Sequence, residues 1–470
     1  MRNIRLLLFG FLLIFVAGCS EIVTEPVGDW TSPQKLGPYE TSIDLEGLKS
    51  RRDALIKRLP ANSLVVVTTN DVYLRNGDVN YEFRPASSFL YLTRFEEPNA
   101  VAVIRTKAGS PGTAEMIMFV EERTSSMVQW LGPCYGPEGA VKYFGADSAY
   151  GFGQFKSKLT SYLGGAPNAK VYANLNANMS VSNSYYTSTA NPPPVSNLDS
   201  ILAEMRVVKS AHEINLIQKS TDVAVQAFKE AMKRITPGVF EYEVAAILNY
   251  VLSLNGCPRA AFPTIVASGP NINTLHYDAN TRQLQDGDLV MIDFGAEYGY
   301  YASDVTRTLP VNGVFSAEQR AVYEIVIEAY KTAIQGATPG KSYYELSALA
   351  RDKIVTRLLE KGIVYGDKAT ILSTSAYRLY IPAGLAHCVG LDTHDPFPRS
   401  DNPDLLLKEN MVFAFEPHIY LQVNDQTVNP KYRGISARIE DVVLITNAGG
   451  KILSKSLPNE ISEIEEFMKW

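Results

Sequence analysis

Asp293 and Asp304 are the residues whose type and spacing first point to chemistry. Asp293 ends the apolar run Leu289-Val290-Met291-Ile292, and Asp304 lies in a second strand-like run from Tyr300 to Leu309. A two-residue turn at Tyr298-Gly299 would put glycine at the second position of a primed hairpin turn, where it is favoured. The two carboxylates would then face each other directly, with Cβ atoms about 4.5–5.5 Å apart. Like charges opposed in an apolar setting destabilise a fold unless a cation lies between them. Two-ion hydrolytic sites hold their metals roughly 3.5–4 Å apart, which this spacing accommodates. An exposed sheet edge would also tolerate the pair, but the Val-Met-Ile run before Asp293 argues for burial.

The second half of the chain carries matching anomalies. Met411-Val412-Phe413-Ala414-Phe415 runs into Glu416-Pro417, and Arg438-Ile439-Glu440-Asp441 runs into Val442-Val443-Leu444-Ile445. Each places a carboxylate at the end of an apolar strand. Glu416 alone would read as a satisfied ion pair; beside Asp293, Asp304 and Glu440 it reads as a ligand. His387, in Gly384-Leu385-Ala386-His387-Cys388-Val389-Gly390, would be an ordinary core histidine in isolation. Here it supplies one nitrogen to a set of hard oxygens, a combination that suits Mn²⁺, Fe²⁺, Co²⁺ or Zn²⁺ better than copper. His394 and His276 lie in polar surroundings and read either as surface residues or as site residues.

These groups need elements to position them. Leu64–Thr69, Ala100–Ile104 and Met116–Val120 are apolar runs of strand length, and Asp44–Leu59 and Gln154–Leu163 have helical spacing, which predicts an α/β domain. Ser210 and Glu213 form a capping box at the head of a long amphipathic helix, which stops at Thr236-Pro237-Gly238. Residues 227–247 and 329–349 align at a constant offset of 102, with 9 of 21 positions identical. Two copies are too few for a solenoid. They predict one domain of two helix–turn–helix halves around a shared sheet, with a ligand site at their junction.

At 470 residues the chain is long enough for two or three domains. Net charge is −6, and no basic block suggests nucleic acid as a partner. Four cysteines exclude a disulfide-built scaffold. Arg2 and Arg5 precede an apolar run from Leu6 to Ala17. That run is roughly 18 Å long as a helix, against about 30 Å of bilayer hydrocarbon, so it fits a signal peptide rather than a span. Val16-Ala17-Gly18-Cys19 resembles a bacterial lipobox, with Cys19 as the lipidated residue. Ser20 in place of an aspartate favours the outer membrane over the inner. Residues 20 to about 42 read as a Pro- and Gly-rich tether. The division expected is a signal peptide over 1–18, a tether over 19–42, an N-terminal domain over 43–205 and a catalytic domain over 206–470.

Asp293, Asp304, His387, Glu416 and Glu440, in this order, resemble the ligand set of the M24 metallopeptidases. The Asp-x10-Asp spacing, the His387-x6-His394 pair and the Arg438-Ile439-Glu440-Asp441 strand carry the resemblance. Asn76–Arg84, Ser88–Thr93 and Phe95–Pro98 are similar to the N-terminal domain of bacterial aminopeptidase P. The resemblance covers roughly residues 45–470 and implies an α+β pita-bread catalytic domain of pseudo-twofold halves after a smaller α/β N-terminal domain. It implies two divalent ions, Mn²⁺ foremost, with Asp293 on one, Asp304 and Glu440 bridging, and His387 and Glu416 on the other. It implies Xaa-Pro aminopeptidase activity, with Glu416 as general base and acid. His276 and His394 would polarise the scissile carbonyl, and Arg438 would orient a bridging carboxylate or its neighbours. It also implies proline-containing peptides as substrates and a homodimer or larger assembly. Rival expectations are an Xaa-Pro dipeptidase, a metal-free creatinase-like hydrolase, which would lack these carboxylates, and a non-catalytic binding module. Four positions depart from the family pattern: Ala383 stands where many relatives have histidine, Cys388 where a bulky residue is common, His418 in the place of glycine in Glu-Pro-Gly, and Arg94 in the place of another glycine.

Overall fold

The computed structural model describes residues 43–132, 134–164, 169–175, 194–398 and 406–469. Cys19 and the apolar run before it lie outside the described residues. Among those described, no helix is long and apolar enough to cross a membrane. The N-terminal part is a mixed sheet. Its strands are β1 Ser63–Thr68, β4 Val101–Thr106, β5 Ala114–Val120, β6 Ser148–Gly151, β7 Lys170–Ala173 and β8 Val195–Asn197, with a separate hairpin formed by β2 Leu74–Asn76 and β3 Val79–Asn80. The order is β6-β5-β4-β1-β7-β8, antiparallel across β5-β4-β1 and parallel at both flanks. β1 is apolar at successive positions because both faces are covered. Val65 and Val67 pack with Leu55 and Ile56 of the helix Leu45–Arg58, while Leu64 and Val66 pack with Phe155 and Leu159 of the helix Phe155–Gly164.

The repeat appears as two helix pairs. Ala211–Met232 is followed by Glu241–Leu254, and Ala317–Gly336 by Tyr343–Glu360, so the second helices of the pairs start 102 residues apart. Each pair is opened by a capping box. Ser210 N donates to Glu213 Oε2 at 2.8 Å and Glu213 N to Ser210 Oγ at 3.3 Å, and Ser316 with Gln319 repeats the arrangement. The helices cover small antiparallel sheets. In the first half these are β9 Arg259–Ala260, β10 Ile265–Ser268, β11 Leu289–Phe294, β12 Ala296–Tyr298, β13 Tyr301–Ala302 and β14 Val305–Pro310. In the second they are β15 Ala386–Cys388, β16 Val412–Phe415, β17 His418–Tyr420, β18 Ser436–Arg438, β19 Asp441–Thr446 and β20 Gly449–Ile452. The halves meet at Thr306 and Glu440, which exchange backbone hydrogen bonds of 3.3 and 3.0 Å.

The hairpin register differs from the expected one. Asp293 lies opposite Thr306, and Tyr298 opposite Tyr301, so the two-residue turn is Gly299-Tyr300. Both turn residues have positive φ, 55° and 69°, as a type I′ turn requires. In this register Asp304 falls opposite Gly295, making Asp293 and Asp304 diagonal neighbours rather than a directly opposed pair. The shift is two residues, so both carboxylates stay on one face. Gly295 pins the register: a Cβ there would lie 1.9 Å from the Ser303 carbonyl oxygen. Tyr300 accepts a left-handed conformation because its ring is held. The Arg94 and Arg84 guanidiniums lie 4.9 and 5.9 Å from its centroid, and its hydroxyl donates to Glu96 at 3.0 Å.

On the side of β14 away from Asp304, Arg307 is fully buried. Its Nη2 pairs with Asp441 at 2.8 Å, its Nη1 donates to the Glu440 carbonyl at 2.8 Å, and its Nε donates to the Pro458 carbonyl at 2.7 Å. Removing the cation would strand a buried carboxylate. Arg307→Met is therefore expected to lower unfolding stability by about 3–5 kcal/mol, read as a fall in urea midpoint at unchanged slope.

Candidate metal centre

Five strand ends converge on one buried space. Asp293 comes from β11, Asp304 from the residue before β14, His387 from β15, Glu416 from the residue after β16, and Glu440 from the residue before β19. His387 Nε2 lies 3.4 Å from Glu440 Oε1, 3.5 Å from Asp304 Oδ2 and 3.9 Å from Glu416 Oε1. Three overlapping groups each keep their donor atoms within 4.8 Å: Asp293, Asp304 and Glu440; His387, Glu416 and Glu440; and Asp304, His387 and His394. Asp304, His387 and Glu440 each belong to two groups, the pattern expected where neighbouring ions share ligands.

The electrostatics of the protein alone are unfavourable. Burial, with Glu440 and Asp293 beside it, pushes the Asp304 carboxyl well above the usual range. Burial and Glu440 push Glu416 up to about 8. Burial raises Asp293 despite the Arg438 cation. Glu440 is lowered because His387 and Arg438 outweigh its burial. Burial would lower His387, but Glu440 and Glu416 raise it to about 9. Asp293 Oδ1 and Asp304 Oδ1 are buried and have no hydrogen-bond partner among the described residues. Orphaned hard oxygens beside an imidazole fit divalent cations.

The other expected residues surround this cluster. The His394 ring stacks on His387 with centroids 4.0 Å apart, and burial and His387 together hold it neutral, at about 4. His276 stands at the rim of a cavity of about 240 Å³ that it shares with His394, Asp293, Asp304, Phe262 and Ile265. Arg438 pairs with Asp293 and donates to Tyr420 Oη at 3.0 Å and Thr306 Oγ1 at 3.2 Å. Arg438 therefore bonds Asp293 directly, while its hydrogen-bonded path to Glu440 runs through Thr306, whose hydroxyl donates to Glu440 Oε2 at 2.7 Å. Thr306 and Tyr420 escaped the sequence reading. Thr306 had a signal, since it lies two residues from Asp304 and so on the same strand face; Tyr420 had none.

The departures also resolve. Cys388 alternates with His387 along β15 and so points to the opposite face. It is buried, and burial pushes its thiol up to about 12, so it is neither a soft ligand nor a reactive thiolate. His418 is buried and neutral, at about 4. Its Nδ1 donates to the Glu416 carbonyl at 2.8 Å and its Nε2 accepts from Ala383 N at 3.4 Å. Both ring nitrogens are engaged, so His418 links the ligand turn to the segment at Ala383 and adds no donor to the metal cluster. Arg94, with φ 58°, closes the helix Ser87–Thr93 in the left-handed conformation glycine would favour.

Fold and donor set together define a divalent-metal enzyme built on a duplicated domain. The metallopeptidase family M24 model matches residues 215–447, and the aminopeptidase P N-terminal domain model matches residues 48–172. The Xaa-Pro aminopeptidase of Haemophilus influenzae is 34% identical over 92% of this chain and 99% of its own length. The structure of Pseudomonas aeruginosa aminopeptidase PepP superposes with a TM-score of 0.85 at 33% identity, covering 91% of this chain and 98% of that one. Escherichia coli aminopeptidase P with the inhibitor Pro-Leu gives a TM-score of 0.85 at 31% identity, covering the same shares. The chain belongs to metallopeptidase family M24, with an N-terminal domain of the aminopeptidase P type.

Metal ligands must be deprotonated to bind. Asp304 is raised in the protein alone and Glu416 is raised to about 8, so at pH 7 ions must displace the Glu416 proton. Loading the metal-free protein at pH 7 is expected to release protons, and affinity to fall as pH drops. Calorimetric heats in buffers of different ionisation enthalpy measure this; equal heats would contradict it.

Proposed function

We propose that this protein removes the first residue from peptides with proline in second position, using two divalent ions, Mn²⁺ foremost. The observation that carries the reading is the convergence of Asp293, Asp304, His387, Glu416 and Glu440 around two orphaned carboxylate oxygens, in a chain matched along almost its whole length by Xaa-Pro aminopeptidases. Asp293, Asp304, His387, Glu416 and Glu440 would hold these ions, with Asp304 and Glu440 placed to serve both, Asp293 one, and His387 and Glu416 the other. When bound, such ions generate a hydroxide nucleophile at neutral pH and polarise the scissile carbonyl.

The chain's own residues do the rest. Glu416 takes the proton of the attacking water and passes it to the departing proline nitrogen. The neutral His394 ring, stacked on His387, donates to the oxygen on which charge develops, with His276 across the cavity as second donor. Arg438 holds Asp293 in place. The Xaa-Pro aminopeptidases that match the chain over nine tenths of its length support peptides longer than two residues over the dipeptidase reading. We place the domain boundary at 205/206, between the segments matched by the two family models. Exposed Tyr73, Leu74, Val79 and Tyr81 on and beside the β2–β3 hairpin support a homodimer or larger assembly.

With Mn²⁺ loaded, an Xaa-Pro-Xaa tripeptide should lose its first residue, and chelator should abolish the reaction. Glu416→Gln should lower kcat about 10²–10⁴-fold. Cleavage of an Xaa-Pro dipeptide alone would make the protein a dipeptidase. We place the protein in the bacterial envelope, lipid-anchored through Cys19 and held at the outer membrane. Cys19→Ser should move it from the membrane to the soluble fraction on fractionation; an unchanged distribution would remove the anchor.

A further inference from the structure

The His394 imidazole makes no hydrogen bond among the described residues. Its position depends on the stack against His387 and on the backbone that carries it. That backbone is a short loop whose ends are close: Asp395 N donates to the Cys388 carbonyl at 2.9 Å, and Gly390 N to the Asp392 carbonyl at 3.0 Å. The loop is held from outside the strands that carry the metal cluster. Arg84, from the N-terminal domain, donates through Nη2 to the Leu391 carbonyl at 2.5 Å. Arg84 also donates to Ser87 Oγ at 3.0 Å, and Ser87 Oγ donates to Asp392 Oδ1 at 2.5 Å. Arg206, at the end of the helix Asp199–Arg206, bridges Asp392 at 2.7 Å and Asp395 at 2.5 Å through one nitrogen. Lys209 adds a contact of 3.2 Å to Asp395.

Three of these groups, Arg206, Lys209 and Asp395, are almost fully buried. A buried charge network fixes geometry more surely than it adds stability. The space is tight as well: a Cβ on Gly390 would lie 2.6 Å from the Asp395 carboxyl. Arg84 also pairs with Glu297 of β12 at 2.6 Å and contacts the Tyr300 carbonyl at 3.4 Å. One guanidinium therefore ties the hairpin between the two aspartates to the loop that carries His394.

We propose that Arg84, Ser87 and Arg206 are positioning residues for His394, so that the N-terminal domain and the linker behind it set the carbonyl-polarising side of the site. The proposal rests on the exopeptidase reading given above. If these residues only fastened two domains together, their loss would lower stability and would weaken activity alike with or without His394. If they position His394, their loss matters through that imidazole.

The test is a double-mutant comparison in the full, metal-loaded protein. Ser87→Ala and Arg206→Lys are each made in the wild type and in His394→Ala, and kcat and KM are measured on an Xaa-Pro-Xaa tripeptide. Each is expected to lower kcat about ten- to a hundredfold in the wild type and less than about threefold once His394 is gone. Equal losses in the two backgrounds, or wild-type kcat within about twofold, would overturn the proposal. Ser87→Ala keeps the buried charges intact, so it remains informative if Arg206→Lys folds poorly. Spectra of ring-labelled histidine give a readout independent of turnover. In the protein loaded with diamagnetic Zn²⁺, the His394 and His387 signals should move in Ser87→Ala while that of His418, bonded on both ring nitrogens to backbone outside the loop, stays put; unmoved His394 and His387 signals would overturn the proposal. A metal-loaded wild type that cleaves no peptide would instead sink the exopeptidase reading, and the spectra would still decide the positioning.

Discussion

Four carboxylates crowd one largely buried space, and their mutual repulsion is the constraint to which the C-terminal half of this protein answers. Arg438 and His387 supply part of the countercharge. Burial and mutual repulsion raise Asp304 and Glu416 in the protein alone, so both hold a proton more readily than an exposed carboxylate. Asp293 Oδ1 and Asp304 Oδ1 are buried with no hydrogen-bond partner among the described residues. Holding such groups together needs rigid supports on all sides, and the duplicated fold provides them. Strand ends from both halves are brought together by the Thr306–Glu440 bridge, while Arg307 and Asp441 tie the same strands on their far face. The site exists only where the halves meet, so neither helix pair could carry it alone.

Much of this was legible in the chain. Charged residues at the ends of apolar runs gave the cluster, because an apolar strand leaves a carboxylate few places to go. The capping box at Ser210 and Glu213 and the 102-residue repeat gave the helix pairs. What failed was the turn. Glycine at 299 suits the second turn position, and the structure makes it the first, with Tyr300 in the strained position. Turn chemistry reads one residue at a time, whereas the register was settled by a backbone approach at Gly295 and by arginines from another domain. The candidate ligands survived the error because side-chain parity on a strand tolerates a shift of two.

The groups that escaped the sequence share a cause. Thr306, Tyr420 and the contacts of Arg84, Ser87 and Arg206 are ordinary residue types whose roles arise from neighbours elsewhere in the chain, 18 residues away for Tyr420 and more than a hundred for the others. His418 and Cys388 show the converse. Both were conspicuous in sequence, and both turn out to serve packing: one bonds to backbone atoms on either side, and the other faces away from the cluster. Chemical conspicuousness identifies a neighbourhood, and only geometry separates ligand from support.

Tyr300 carries a consequence for how the protein is made. A tyrosine in left-handed conformation costs about 1–2 kcal/mol, and here the contacts of its ring and hydroxyl offset that cost. Arg84, Arg94 and Glu96 all precede it along the chain, and Arg94 leaves the ribosome 206 residues ahead of it. The sheet of the domain that holds them ends at Asn197, so at about 5–20 residues per second the receiving surface is complete roughly 5–20 s before the turn it must receive. The order of synthesis therefore matches the order of need. The earlier domain is present as a mould when the hairpin bearing both aspartates first emerges, and a circular rearrangement that delivered the hairpin first would deprive it of that mould.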